Sequence, residues 1–388
     1  MAGRPLNYLC YYYLWVMVLL EIRLGIAGTA KNTGKTTATA AIMQELRARG
    51  VGFCLTSIGY DGENIDNVTG LPKPKLRVEP GDVVATAEKC LEVSTAGLSP
   101  LVATAIQTPL GRIHVARVTA SGLVVTAGPN KSTEVRELAG ILTRQGPGAT
   151  IFDGALNRIA PMVETDGFIL ATGASRTPDI PRLAQETGVI WRLSTLPAVP
   201  RAQALAEKQL AQVTLLDADL DEIKTWPLSS LLTEKDVDQV LEEHMPKYAY
   251  LYVPGVIGER ALKALGDRLA EKPRPFLLAF ADPVKLLVTG NPVTYHELLT
   301  AAERGGAVAG VVKRVPLLAV TINPFYPEYR VETKAYKPAF VDFVRLQVAV
   351  RNSVKVPVYN VVKDGARGLV DIILANARRW EHPDTMTF

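Results

Sequence analysis

Histidine and cysteine are both scarce in this 388-residue chain, with four of the first and three of the second. His114, His244, His296 and His382 stand far apart, so a histidine-rich metal site is not expected. Cys10, Cys54 and Cys90 form no C-x-x-C pair and cannot make a disulfide framework. That argues against zinc-ribbon and thioredoxin-type chemistry and fits a reducing, cytoplasmic compartment. Charge of one sign is lacking as well. Basic and acidic side chains number 43 and 39, leaving +4 over the whole length and no electrostatic case for nucleic acid. There is no low-complexity tract and no clear repeat. No G-x-S-x-G element occurs, which leaves a nucleophile-elbow hydrolase unsupported.

What is present is apolar surface enough for a core. Apolar residues make up 48% of the chain and charged ones 21%, which excludes a disordered chain. At roughly 100–200 residues per domain, the length predicts two domains or three. The longest apolar run, Tyr8 to Leu20, lies in an N-terminal extension over 1–21. It is shorter than the about 20 residues a spanning helix needs. It is also a poor signal peptide, because the small-residue cleavage candidates near Ala27-Gly28-Thr29 fall inside a loop described next. Translation starting at Met17 is the preferred reading, against a membrane-surface anchor or an ordered extension.

The strongest signal follows at once. Leu24-Gly25-Ile26-Ala27 reads as the end of a buried strand. Gly28-Thr29-Ala30-Lys31-Asn32-Thr33-Gly34-Lys35-Thr36-Thr37 comes next, and then a helical pattern ending at Gly50. Strand, glycine-rich loop and helix in that order are the context of a phosphate-binding P-loop. Backbone N–H groups and the helix N-terminus would face phosphate oxygens. Lys35 would reach the β- and γ-phosphates, and Thr36 would offer its hydroxyl to Mg²⁺. The spacing departs from G-x-x-x-x-G-K-[ST], because five residues separate Gly28 from Gly34. Lys31 is either a second phosphate-contacting lysine or a solvated one. No N-K-x-D or T-K-x-D guanine-reading element occurs, so ATP is expected rather than GTP.

Two carboxylates are candidates for Mg²⁺. Val51 to Gly59 reads as a second buried strand, followed by a loop carrying Asp61, with Glu63 and Asp66 as weaker candidates. Ala149 to Asp153 is a short apolar run that delivers Asp153 to a strand's C-terminal edge, as a Walker B carboxylate requires, with Arg158 close behind. An ordinary acidic turn and an Asp-Gly strand end are the competing readings. Between them the pattern predicts a helix over 82–93 and a β-meander over 101–107, 112–119 and 122–126. It also predicts a helix capped by Ser132 and ending near Arg144.

Alternating strand and helix patterns predict an α/β fold whose mostly parallel sheet is flanked by helices, P-loop NTPase-like over 22–195. A second α/β domain over 200–388 has no second phosphate loop. Within it a helix is expected over 337–351. Asp282, Asn291 and Asn323 sit at strand ends, where turn duty is expected and a second crevice is the alternative.

The loop resembles those of dethiobiotin synthetase and other deviant P-loop enzymes, and also the GTxGKTT loop of Mur ligases. Five blocks together, GTAKNTGKTT, SIGYDGE, LPKPK, FDGALNR and AVTINPF, resemble the reactivase subunit of adenosylcobalamin-dependent lysine 5,6-aminomutase from about residue 22 onward. No D-x-H-x-x-G element occurs, so the chain does not look like a base-off cobalamin carrier itself. The resemblance implies an ATPase that acts on a protein partner. It would release damaged cobalamin from the aminomutase together with a second reactivase subunit, and Lys35, Thr36 and Asp153 would serve the nucleotide. A ligase or synthetase activating a small carboxylate or amine, and a cofactor-maturation NTPase, are the alternatives. In all three readings the chain is cytoplasmic, with no membrane role expected.

Overall fold

The computed structural model describes residues 21–59, 76–145, 148–155, 160–246, 248–288, 290–332 and 334–380. The apolar run Tyr8 to Leu20, the Met17 start, Asp61, Glu63, Asp66 and Arg158 lie outside them. Two compact units form.

The first unit is built on a nine-stranded sheet. Its members are β1 (Ile22–Gly28), β2 (Phe53–Ser57), β4 (Val83–Ala87), β5 (Gly97–Thr108) and β6 (Gly111–Ala120), with β8 (Ala149–Ala155), β9 (Gly167–Gly173), β15 (Leu317–Asn323) and β18 (Val358–Tyr359). The order is β18-β15-β9-β1-β8-β2-β4-β6-β5. The pairs β9-β1, β1-β8, β8-β2, β2-β4 and β15-β18 are parallel, and β4-β6 and β6-β5 are antiparallel. The sheet is therefore mixed, and its antiparallel edge holds the first two strands of the expected meander but not the third, over 122–126. The short pair β3 (Leu76–Val78) and β7 (Gly122–Val124) stands apart from it.

Both faces of this sheet are covered. β2 is buried along its whole length, so successive side chains feed opposite cores. Phe53 and Leu55 join a cluster with Ile42, Met43 and Leu46 of helix α1 (Lys35–Ala48) and Leu369, Val370 and Ile373 of the late helix Arg367–Trp380. Cys54 joins the other cluster, with Val83, Val115, and Leu138 and Leu142 of the helix Ser132–Thr143.

The second unit carries a five-stranded sheet of β10 (Thr214–Leu216), β11 (Glu222–Thr225), β12 (Tyr250–Val253), β13 (Phe276–Phe280) and β14 (Ala307–Val311). The order is β11-β10-β12-β13-β14, parallel from β12 to β14. Its helices include Ile180–Ser194, Glu259–Glu271 and Pro292–Arg304.

Several expectations are corrected. The units are not the contiguous stretches 22–195 and 200–388. The first comprises residues through Pro178 together with Leu318–Phe343 and Val356–Phe388, and the second comprises Asp179–Leu317 and Val344–Lys355. The cause is β15 and β18, which join the first sheet. The expected helix over 82–93 is a strand, β4, with only Glu88–Glu92 helical. Val83 and Val84 are β-branched, and every residue of β4 is buried, as a strand covered on both faces requires. The expected helix over 337–351 begins only at Phe343. Pro338 lies in β17 (Ala335–Phe340), which pairs antiparallel with β16 (Phe325–Arg330), because proline is tolerated on an edge strand and not inside a helix. Ser132 is the first helical residue rather than the cap, which is Lys131. Among the described residues no helix is long and apolar enough to cross a membrane.

The membership of β15 is testable. Leu318 is 6% exposed and packs with β1, β8 and β9 residues in the first core. Leu318→Ala is expected to cost about 2–5 kcal/mol. In hydrogen exchange, amides of β1, β8 and β9 should then exchange faster, while those of β12–β14 keep their rates. The reverse pattern would place Leu318 in the second unit.

Candidate functional site

The loop between β1 and α1 is held in shape by bonds to neighbouring strand ends. Thr29 N–H donates to the Ala171 carbonyl at the end of β9 (3.0 Å), and the Thr29 hydroxyl donates to the Thr172 hydroxyl (3.2 Å). The buried Thr33 hydroxyl donates to the Ala30 carbonyl (2.9 Å) and pulls the loop into a closed turn. Asn32 and Gly34 take positive φ, at 59° and 89°. Asparagine tolerates that region and glycine enters it freely. At Gly34 a side chain would also press on Asn323 Cβ, 3.2 Å from the ideal Cβ position.

Gly34 is the N-cap of α1, and no side chain caps the helix there. Its first turn holds no acidic residue. The first N–H groups of a helix have no partner within it, and the helix dipole favours an anion beside them. This end of α1 thus has the polarity of an anion site. Lys35 opens the helix, and Thr36 and Thr37 follow as exposed side chains. Lys31 is exposed as well.

Asp153 lies near the end of β8, in register with Ile26 of β1 and Ser57 of β2. Lys35 Nζ stands 3.0 Å from Asp153 Oδ1, with the lysine side chain 25% exposed and the carboxylate side chain 11%. The two residues singled out for nucleotide chemistry are thus in direct contact, though 118 positions apart in the chain. Among the described residues no group of three or more His, Cys, Asp or Glu could hold a metal ion. The oxygen donors that the sequence pattern offers are the Asp153 carboxylate and the hydroxyl of Thr36, an exposed residue beside Lys35. A small donor set of that kind suits Mg²⁺, which keeps several waters and takes further oxygens from phosphate.

No family model, curated protein or solved structure matches this chain. The loop's chemistry therefore rests on its own geometry.

One contributor was not legible as part of this site. Asn323, at the end of β15, donates from Nδ2 to the Asn32 carbonyl (2.8 Å), and its Oδ1 accepts from Phe325 N–H (3.2 Å). The Ser175 hydroxyl approaches the same Asn32 carbonyl (3.2 Å) and the Phe325 carbonyl (3.0 Å). Ala174 N–H donates to the Asn323 carbonyl (2.9 Å). The only sequence signal was an apolar run ending in Asn-Pro, which placed Asn323 at a strand end without saying which. Asn291 is the N-cap of the helix Pro292–Arg304, and Asp282 closes the turn just before Pro283, the N-cap of the short helix Val284–Leu287. Asp282 Oδ1 accepts from Val284 and Lys285 N–H, and Asn291 Oδ1 accepts from Val293 N–H (2.9 Å). Burial raises the Asp282 carboxyl above its ordinary pKa. The cysteines offer no nucleophile in the described region. Burial pushes the Cys54 thiol far up and the Cys90 thiol to about 11, so both stay protonated at neutral pH.

Asn323→Ala removes both side-chain bonds and leaves the backbone in place. Only the bond to Asn32 reaches the loop; at a net value of about 0.5–1.5 kcal/mol, exchange of the Asn32–Gly34 amides should accelerate roughly 2- to 13-fold. Unchanged exchange there would mean that Asn323 does not hold the loop.

Proposed function

We propose that the β1–α1 loop binds the phosphates of ATP with Mg²⁺, and that the first unit is a P-loop NTPase-like domain that hydrolyses it. The observation that carries this reading is the contact between Lys35 and Asp153 beside an uncapped helix N-terminus. A helix end with free N–H groups and an adjoining lysine attracts phosphate. A carboxylate at the same point would repel phosphate unless a cation lay between them. Lys35 supplies one such cation at 3.0 Å, and Mg²⁺ supplies another when bound.

In this reading the backbone N–H groups of Gly34 to Thr36 orient the phosphate chain. Lys35 neutralises charge on the terminal phosphates, where charge builds in the transition state. Thr36 and Asp153, together with Asp61, would hold Mg²⁺, which offsets phosphate charge when bound. Thr29, Ala30, Lys31, Asn32, Thr33 and Thr37 complete the cradle beside Gly28 and Gly34.

The partner follows from the resemblance of the five sequence blocks. The chain acts in the cytoplasm as the ATPase of a reactivase. With a second reactivase subunit it drives release of damaged cobalamin from lysine 5,6-aminomutase. A cycle of ATP binding and hydrolysis supplies the two states that such a partner needs.

Lys35→Ala is expected to lower ATP hydrolysis at least about 100-fold, and Asp153→Asn to lower it while nucleotide still binds. Steady-state phosphate release checks both, and unchanged turnover in the Lys35 variant refutes the site. Cofactor-inactivated aminomutase should stimulate the wild-type rate. Turnover that instead depends on a small amino or carboxylic acid would replace the reactivase with a ligase or synthetase.

A further inference from the structure

A cavity of about 390 Å³ opens beside the loop, entirely within the first unit. Small-molecule sites run from about 300 to 1,000 Å³ and are mostly apolar with a few converging polar groups. This cavity fits that description. It shares Thr33, Gly34 and Thr37 with the loop, and Lys35 is not among its lining residues. Helical geometry explains the division: Gly34 and Thr37 lie three apart on one side of the helix start, and Lys35 is turned about 100° away. The loop therefore has two sides, one facing Asp153 and the other facing the cavity.

Two lining groups have hydrogen-bonding capacity to spare. Thr321 of β15 is 2% exposed, and its hydroxyl has no hydrogen-bond partner among the described residues. A buried polar group in that state costs roughly 1–3 kcal/mol. Asn360 is 4% exposed, and its Oδ1 accepts from Val362 N–H (3.2 Å). Its amide Nδ2 remains as a donor with no partner among the described residues.

Two phenylalanines stand among the aliphatic residues of the walls. Phe340 is 67% exposed at the mouth and is held edge-to-face against Phe325, with ring centroids 5.7 Å apart. Phe343 lines the cavity too, with Lys363 Nζ 5.3 Å from its ring centroid. A flat heteroaromatic ring satisfies all of this, since its faces meet the phenylalanines and its edge carries the heteroatoms that Asn360 and Thr321 lack.

We propose that this cavity holds the purine base of the nucleotide whose phosphates lie in the loop, with Asn360 and Thr321 bonding the ring edge and Phe340 stacking on its face. The assignment rests on the nucleotide reading of the loop. It adds that recognition of the base comes from β15, β17 and the segment after β18, far from the loop in sequence.

Two ligands separate the base from the phosphates: Mg-ATP, and magnesium tripolyphosphate, which has no base. Calorimetric titration should show Phe340→Ala weakening ATP roughly 5- to 150-fold, the range of a lost base–aromatic stack. Tripolyphosphate affinity should stay unchanged. Thr321→Val keeps the shape and removes the unpartnered hydroxyl. It should weaken ATP alone, roughly 2- to 13-fold for one hydrogen bond, while the melting temperature holds or rises. Lys35→Ala should weaken both ligands. If the Phe340 and Thr321 variants lose neither ligand, or lose both equally, the base site is overturned while the loop reading stands. If Lys35→Ala binds both as the wild type does, the loop reading itself fails.

Discussion

A single asparagine joins three segments that are far apart in the sequence of this molecule. Asn323 bonds the Asn32 carbonyl from Nδ2, and its own carbonyl accepts from Ala174. The loop between β1 and α1, the turn after β9 and the end of β15 thus meet at one residue. The approach is close enough that a side chain at Gly173 would strike the Asn323 carbonyl, 2.3 Å from the ideal Cβ position. Glycine at that point is a requirement of the contact. Asn32 and Gly34 are both at positive φ; the first carries the carbonyl that the amide reaches, and the second approaches the Asn323 Cβ.

How much of this was legible depends on the range of the forces involved. The loop was readable because its parts are neighbours in the chain: a buried strand, a glycine-rich stretch, a lysine and a helix. Asp153 was readable because an apolar run ending in a carboxylate marks a strand edge, and parallel pairing with β1 does the rest. Asn323 was not readable as a loop contact. Nothing local distinguishes a strand that joins the first sheet from one that joins the second, since both are short, apolar and buried. The boundary between units failed for the same reason.

Local ambiguity explains the remaining misses. The stretch Val83 to Glu92 carries apolar residues that suit either period, and burial on both sides decides for a strand as far as Ala87. Residues 335–351 hold a strand and a helix in succession, and the apolar spacing ran the two together. Pro338 was the available warning. The hairpin it belongs to carries Tyr329 and Tyr336 edge-to-face, with ring centroids 5.3 Å apart. That cross-strand pair helps set a register that no helical pattern contains.

The discontinuous first unit has a consequence in time. Asn32 and Asn323 are separated by 291 positions. At about 5–20 residues per second, a ribosome needs roughly 15–60 s to travel between them. During that interval β1, β8 and β9 can pair, but the residue that ties down the loop has not been made. The second unit, by contrast, is almost wholly synthesised before β15 emerges. The nascent chain thus carries a finished second sheet and an unclamped loop, and any ligand that needs the clamp can bind only near the end of synthesis.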